Sequence, residues 1–168
     1  MTRTKKLTLC ALLTALALAL SYTERFIPLQ LLIPLPGIKL GLANIVTLVT
    51  LFLLGTKSSF AVLLLRCTLG SLFGGGITGL IFSTTGGLFA VIAMVLAKKS
   101  SRFSVYGISI FGAAAHHIGQ ILAAIFLMQS VYVGAYLPYL LLVGIFTGFA
   151  TAAATAGVLR LVPKEVQK

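Results

Sequence analysis

The stretch ITGLIFSTTGGLFAVIAMVLAKK, residues 77–99, decides the class of fold. Its first 21 residues, Ile77–Ala97, contain no Asp, Glu, Lys or Arg, and two lysines follow directly. About 20 such residues in an α-helix span the hydrocarbon core of a bilayer. The whole chain is similar, with 59% hydrophobic residues, 9% charged residues and a mean hydropathy of +1.12. A soluble surface needs more charge than this, so we predict an all-α integral membrane protein.

Similar apolar runs on both sides of this stretch predict a single membrane domain over residues 1–168, built as a bundle of six transmembrane helices. The six segments are Leu7–Tyr22, Gly41–Leu54, Ser59–Phe73, Ile77–Ala97, Gly107–Gln129 and Tyr136–Leu161. At 1.5 Å per residue the second and third reach only about 20–23 Å, and short segments of this kind often border a cavity. The first segment resembles a signal peptide, but we expect it to be retained as a helix.

The charge pattern predicts the orientation of the bundle. The chain has 13 Lys and Arg against two acids, Glu24 and Glu165. Alternate gaps between the segments hold ten of the basic residues: Arg3, Lys5, Lys6, Lys57, Lys98, Lys99, Arg102, Arg160, Lys164 and Lys168. The positive-inside rule places these gaps, and with them both termini, in the cytoplasm. The net charge of +11 is therefore explained by topology, and we expect no nucleic-acid partner.

Two connections have distinctive sequences. The longest, Thr23–Leu40, is apolar and contains three prolines, so we expect it to lie at the outer membrane interface or to fold over the bundle as a lid. The run Gly74–Gly76 predicts a tight external turn between the third and fourth segments.

Catalysis by this chain is not expected. It has no Asp, and both of its Glu residues lie outside the predicted segments, so it lacks a paired-carboxylate site or an acidic cluster for Mg²⁺. Adjacent positions on a helix point about 100° apart, so His116 and His117 are not expected to bind one metal together. Cys10 and Cys67 fall in apolar runs and are expected to be free thiols. We predict no catalytic residue, no metal and no cofactor bound by this chain.

Polar residues within the apolar segments are the candidates for ligand binding. Arg66 lies near the middle of the third segment, where it caps backbone carbonyls, extends to a membrane interface or receives an anionic ligand. The predicted segments offer no acidic partner for it. His116 and Gln120 share a helix face with Gly112, which indicates either helix packing or ligand contact. Lys39 and Asn44 lie at the outer mouth of the second helix, where they act as interfacial and packing residues or favour an anion.

Two ridges of small residues predict close helix contacts. Ala11, Ala15 and Ala19 form one on the first segment, and the sixth segment carries the other, at Gly144, Gly148, Ala152 and Ala156. Such ridges let helix backbones approach closely in lipid. One ridge is expected to close the bundle, and the other is available for a partner subunit.

The segments PGIKLGLANIVTL (Pro36–Leu48), LRCTLGSLFGGG (Leu65–Gly76), STTGG (Ser83–Gly87) and HHIGQ (His116–Gln120) resemble a bacterial membrane family. It has been named heptaprenyl diphosphate synthase component I and also the Gx transporter family. This family more often has HN where this chain has His116-His117. The family is similar to the substrate-binding S-components of energy-coupling factor (ECF) transporters. Those proteins have six helices, cytoplasmic termini and an external loop over a binding pocket.

This resemblance implies a partner as well as a fold. In S-components an AxxxA pattern on the first helix docks on a coupling subunit driven by two ATPases, and the ridge Ala11, Ala15 and Ala19 matches that pattern. We therefore predict an S-component-like subunit of an ECF-type importer, with ATP used by the partner subunits. The predicted ligand is a small anionic, vitamin-like molecule contacted by Lys39, Asn44, Arg66, His116 and Gln120.

Two alternatives stay open at this stage. One is a non-catalytic membrane subunit for heptaprenyl diphosphate synthesis, and the other is a membrane component of a flavin or quinone electron-transfer system. Flavin nucleotides and prenyl diphosphates are both anionic, so Lys39 and Arg66 do not distinguish them.

Overall fold

The computed structural model describes residues 2–26, 38–100 and 102–162, which form a bundle of α-helices without a strand in these ranges. Its six long helices are α1 (Arg3–Thr23), α2 (Asn44–Leu53), α3 (Thr56–Gly70), α4 (Gly76–Lys99), α5 (Val105–Met128) and α6 (Leu137–Leu161). Short helical turns cover Glu24–Phe26, Ser71–Gly75 and Val131–Tyr136. Each of the six predicted segments is thus helical, and most of the predicted Pro-rich connection lies outside the described residues.

The ends of the helices follow from local sequence. The hydroxyl of Thr2 accepts a hydrogen bond from the Lys5 N–H at the start of α1, and Ser104 caps α5 in the same way. Gly41 has a φ of +85°, so the chain turns there and α2 begins three residues later than predicted. At ten residues α2 is about 15 Å long, too short to cross a bilayer alone.

The predicted glycine turn reverses the chain between α3 and α4. Gly74 and Gly76 have φ values of +99° and +61°, which break the helix at this point. Leu63 packs against Gly87 and Val91, although in one straight helix Leu63 and Gly87 would lie about 36 Å apart. The stretch Thr56–Lys99 is therefore a pair of antiparallel helices.

Four continuous helical stretches among the described residues are long and apolar enough to cross a membrane, judged by length and composition. They are Arg3–Thr23, Thr56–Lys99, Val105–Met128 and Val131–Leu161. Large apolar side chains on their outer faces are exposed, such as Leu12 on α1 and Phe146 on α6. In a membrane these faces would be covered by lipid.

The basic end of α4 lies beside the end of α2. The Lys98 Nζ at the end of α4 donates to the Leu51 carbonyl near the end of α2, at 3.0 Å. Leu159 near the end of α6 packs in one cluster with Val49 of α2 and Leu13 of α1. The carboxyl-terminal parts of α2, α4 and α6 thus lie on the same side of the bundle.

The two small-residue ridges have different environments. Gly144, Gly148 and Ala152 of α6 are buried, and Gly148 packs on Ile110 of α5 while its carbonyl accepts from the Ser109 hydroxyl at 2.7 Å. The ridge on α6 therefore closes the bundle internally. In contrast, Ala11, Ala15 and Ala19 of α1 are all exposed.

A close contact between the backbones of α4 and α5 gives a stability prediction. A Cβ added at Gly119 would lie 2.9 Å from the Thr85 carbonyl oxygen and 3.0 Å from the Gly86 Cα, both backbone atoms of the facing helix. We expect Gly119→Ala to destabilise the protein by about 1–3 kcal/mol, because the two helices must separate. Thermal unfolding in detergent, monitored by circular dichroism, measures the effect.

Gly157→Ala is the matched control, because a Cβ at this exposed position on α6 meets nothing within 4 Å. We expect it to leave stability unchanged or to raise it slightly. Equal unfolding temperatures for the two variants would contradict the close contact of α4 with α5.

Candidate binding pocket

A pocket of about 320 Å³ lies between the end of α1, the α3–α4 turn and the chain that leads into α2. This volume is at the lower end of the range for small-molecule sites. The pocket is lined by Leu18, Ala19, Ser21, Tyr22, Lys39, Arg66, Cys67, Gly70, Ser71, Phe73, Gly75, Gly79 and Ser83. Its wall therefore combines apolar side chains with two cations and four hydroxyl groups.

Arg66 is held in the pocket wall by neighbours from two other segments. It is 5% exposed, and its guanidinium donates to the Asn44 side-chain oxygen at 3.3 Å and to the Ser21 hydroxyl at 3.5 Å. Its Nε has no hydrogen-bond partner among the described residues. A guanidinium carries five N–H donors, so donors remain for an anion that enters the pocket.

Lys39 comes from the chain before α2 and reaches across the pocket to α4. Its Nζ donates to the Ser83 hydroxyl at 2.7 Å. Lys39, Arg66 and Ser83 all line the pocket. Residues that are far apart in the sequence, such as Lys39 and Ser83, therefore form one polar wall. The structure thus brings together the two predicted cations.

The other three predicted binding residues lie behind this wall. Asn44 is buried at the first turn of α2 and supports Arg66. His116 is buried between Gly41 and Gly86, where a Cβ added at Gly86 would lie 2.9 Å from two atoms of its ring. Gln120 accepts a hydrogen bond at its Oε1 from the His117 Nδ1–H, at 3.3 Å.

The helix face that carries Gly112, His116 and Gln120 packs on α4 and does not line the described pocket. Gly112 meets Met94, while His116 and Gln120 both meet Gly86. The absence of a side chain at Gly41 and Gly86 makes room for the His116 ring, which explains why glycine stands at both positions. A contact of His116 or Gln120 with a ligand therefore stays a prediction.

His117 lies on a different face of α5, as the spacing predicted. It is fully buried against Gly144 of α6, and it pairs with Gln120. Within the described residues no group of three or more His, Cys, Asp and Glu side chains is placed to hold a metal ion.

Glu24 is the residue of this region that the sequence analysis missed. It is 7% exposed directly after α1, and its charge attracts both Arg66 and Lys39. Arg66 therefore has an acidic neighbour, although none was expected from the predicted segments. The sequence did contain a sign of this role, because Glu24 is one of two acids in the chain and directly follows an apolar segment. Ser21 and Ser83 were also missed, because serine is common in membrane helices.

These features define the class of protein: an all-helical, membrane-type chain with a small cationic pocket near one end of its bundle. A family model described as heptaprenyl diphosphate synthase component I matches residues 13–158, so the chain belongs to that family. The match confirms the resemblance found in the sequence. No curated protein and no solved structure gives a significant match to the chain.

Proposed function

We propose that this chain is the membrane-embedded binding subunit of an ECF-type importer, with its small anionic ligand held in the pocket beside Arg66 and Lys39. The observation that supports this most is the pocket wall itself. Charged side chains inside membrane proteins are costly and mark ligand or ion sites by default. Here two cations from separate segments converge on one cavity.

The proposed arrangement has six crossings with both termini in the cytoplasm. The pocket then lies toward the outer face, because Lys98 and Lys99 at the end of α4 lie at the opposite end of the bundle, beside the end of α2. A ligand enters from outside, and Arg66 binds its anionic group through charge-assisted hydrogen bonds. Lys39 adds a second positive charge from the chain that leads into α2.

The exposed face of α1 supports the proposed partner. Ala11, Ala15 and Ala19 offer a smooth surface on which another helix can pack closely, whereas the corresponding ridge of α6 is occupied by α5. The same helix lines the pocket through Leu18 and Ser21. A coupling subunit docked on α1 is therefore adjacent to the ligand, and its ATPases supply the energy.

A second candidate is a membrane subunit that presents a prenyl diphosphate to a synthase. The name of the matched family favours it. The pocket is also bordered by Tyr22 and Phe73, which are 55% and 71% exposed, so an apolar tail could leave it toward lipid. In this arrangement only the head of the lipid occupies the pocket, because the volume is small.

Purification in mild detergent from the native cell, followed by mass spectrometry of the proteins that co-purify, separates the two candidates. The importer predicts a membrane coupling subunit together with two ATPases. Recovery of a soluble prenyl synthase without an ATPase would refute the importer and support the second candidate.

A further inference from the structure

Glu24 is a buried acid to which neither candidate function gives a role. It stands where α1 has just ended, and only 7% of its surface is exposed. Placing a carboxylate in an apolar environment is costly unless other groups compensate for it. The groups that surround the Glu24 carboxylate therefore indicate its role.

The carboxylate of Glu24 lies at the amino end of α2. Its Oε1 accepts a hydrogen bond from the Leu42 N–H, and the Ala43 N–H also stabilises it. Burial raises the pKa of the Glu24 carboxyl above its ordinary value, while the Leu42 N–H and the charges of Arg66 and Lys39 act in the opposite direction. The three charges thus form one group at the pocket, with Glu24 outside its lining.

This group has a simple charge balance. Arg66 and Lys39 contribute two positive charges to the pocket wall, and an ionised Glu24 contributes one negative charge from behind it. We propose that Glu24 is the fixed counter-ion of the pocket, so that a ligand meets one net positive charge and the site selects an anion with a single negative charge. This inference rests on the proposed function and names its ligand class as a monoanion, such as a carboxylate, in preference to a diphosphate.

Cys67 provides a probe of this charge that requires no knowledge of the ligand. Its thiol lines the pocket, whereas Cys10 lies on α1 outside that lining. In a Cys10→Ser background, the thiol is labelled at pH 8 with two methanethiosulfonates of similar size, one carrying an anionic sulfonate and the other a cationic trimethylammonium group. The ratio of the two rates reports the charge of the pocket, because the intrinsic reactivity of the thiol cancels.

We expect the anionic reagent to react faster in the otherwise wild-type protein. Glu24→Gln removes the negative charge and should raise the rate ratio by about threefold to tenfold, the size expected for one unit charge several ångströms away in a partly hydrated site. Glu24→Asp keeps the charge and should leave the ratio near that of the parent. Arg66→Gln should lower the ratio.

A charge-compensated pair keeps the test valid if Glu24→Gln alone fails to fold. Lys39→Gln should lower the ratio. The double variant Glu24→Gln, Lys39→Gln should restore the parent value, because the pocket of the double variant and that of the parent each have one net positive charge.

Two further outcomes separate the inference from the function on which it rests. An unchanged ratio in Glu24→Gln, together with a lowered ratio in Arg66→Gln, would overturn the counter-ion and leave the cationic pocket intact. No change in any of the variants would overturn both, because neither Glu24 nor the two cations would then contribute to the charge of the pocket.

Discussion

Arg66→Ala is expected to release the ligand. Replacing the side chain removes the guanidinium from the pocket wall and leaves the Asn44 oxygen and the Ser21 hydroxyl without their donor. A hydrogen bond to a charged group contributes about 1.5–3 kcal/mol, so the affinity for an anion should fall by about 10- to 100-fold. The measurement is the amount of small molecule released when the purified protein is denatured, quantified by liquid chromatography and mass spectrometry.

Two controls accompany this variant. Arg66→Lys keeps the charge but loses the planar fork of donors, so we expect an intermediate loss. Arg102→Ala removes an exposed arginine from the chain between α4 and α5 and should retain the ligand fully. Full retention in Arg66→Ala, with an unchanged elution profile, would return Arg66 to a purely structural role.

Ala15→Trp is expected to separate partner binding from ligand binding. Ala15 is exposed at the centre of the α1 ridge, so a large side chain there should leave the fold intact but prevent another helix from approaching closely. We expect recovery of the coupling subunit to fall at least about tenfold, with transport lost and the bound ligand retained. Co-purification and ligand quantification on the same preparation measure both effects.

Ala153→Trp is the matched control, because Ala153 is an exposed alanine on α6, away from the ridge. It should keep both the partner and the ligand. Loss of the ligand in Ala15→Trp, or equal loss of the partner in both variants, would contradict a separate docking face on α1.

Much of the fold could be predicted because its signals are local. Apolar runs interrupted by glycines predicted the six helices, and positive φ values at Gly41, Gly74 and Gly76 account for where α2 begins and where α3 gives way to α4. The length of α2 was less predictable, because an apolar sequence such as Leu40–Ala43 gives no sign that a turn precedes the helix.

The pocket was only partly predictable, because its contacts join distant segments. Arg66 and Lys39 stood out as charges in apolar sequence. Glu24 belongs to this region because its carboxylate accepts from the Leu42 N–H near the start of α2. No periodicity in the sequence predicts that contact. Gln120 has neighbours at both i−3 and i−4, and packing determines that it pairs with His117 while His116 contacts the glycines.

The two small-residue ridges, on α1 and α6, were also only partly predictable from the sequence. Ala15 and Gly148 belong to similar small-xxx-small patterns, and each pattern is compatible with contact inside or outside the bundle. Only the packing of α5 on α6 shows that the ridge of Gly148 is internal, which leaves Ala15 on the outer surface.

Native mass spectrometry of the purified Cys10→Ser protein, before and after Cys67 is modified with a bulky maleimide, tests the central claim most directly. Cys67 lines the pocket, so a modified thiol would fill the space proposed for the ligand. We predict one anionic adduct of a few hundred daltons per chain before modification, in keeping with a small pocket, and none afterward. An adduct that survives modification, or a protein that carries only phospholipid, would contradict the claim.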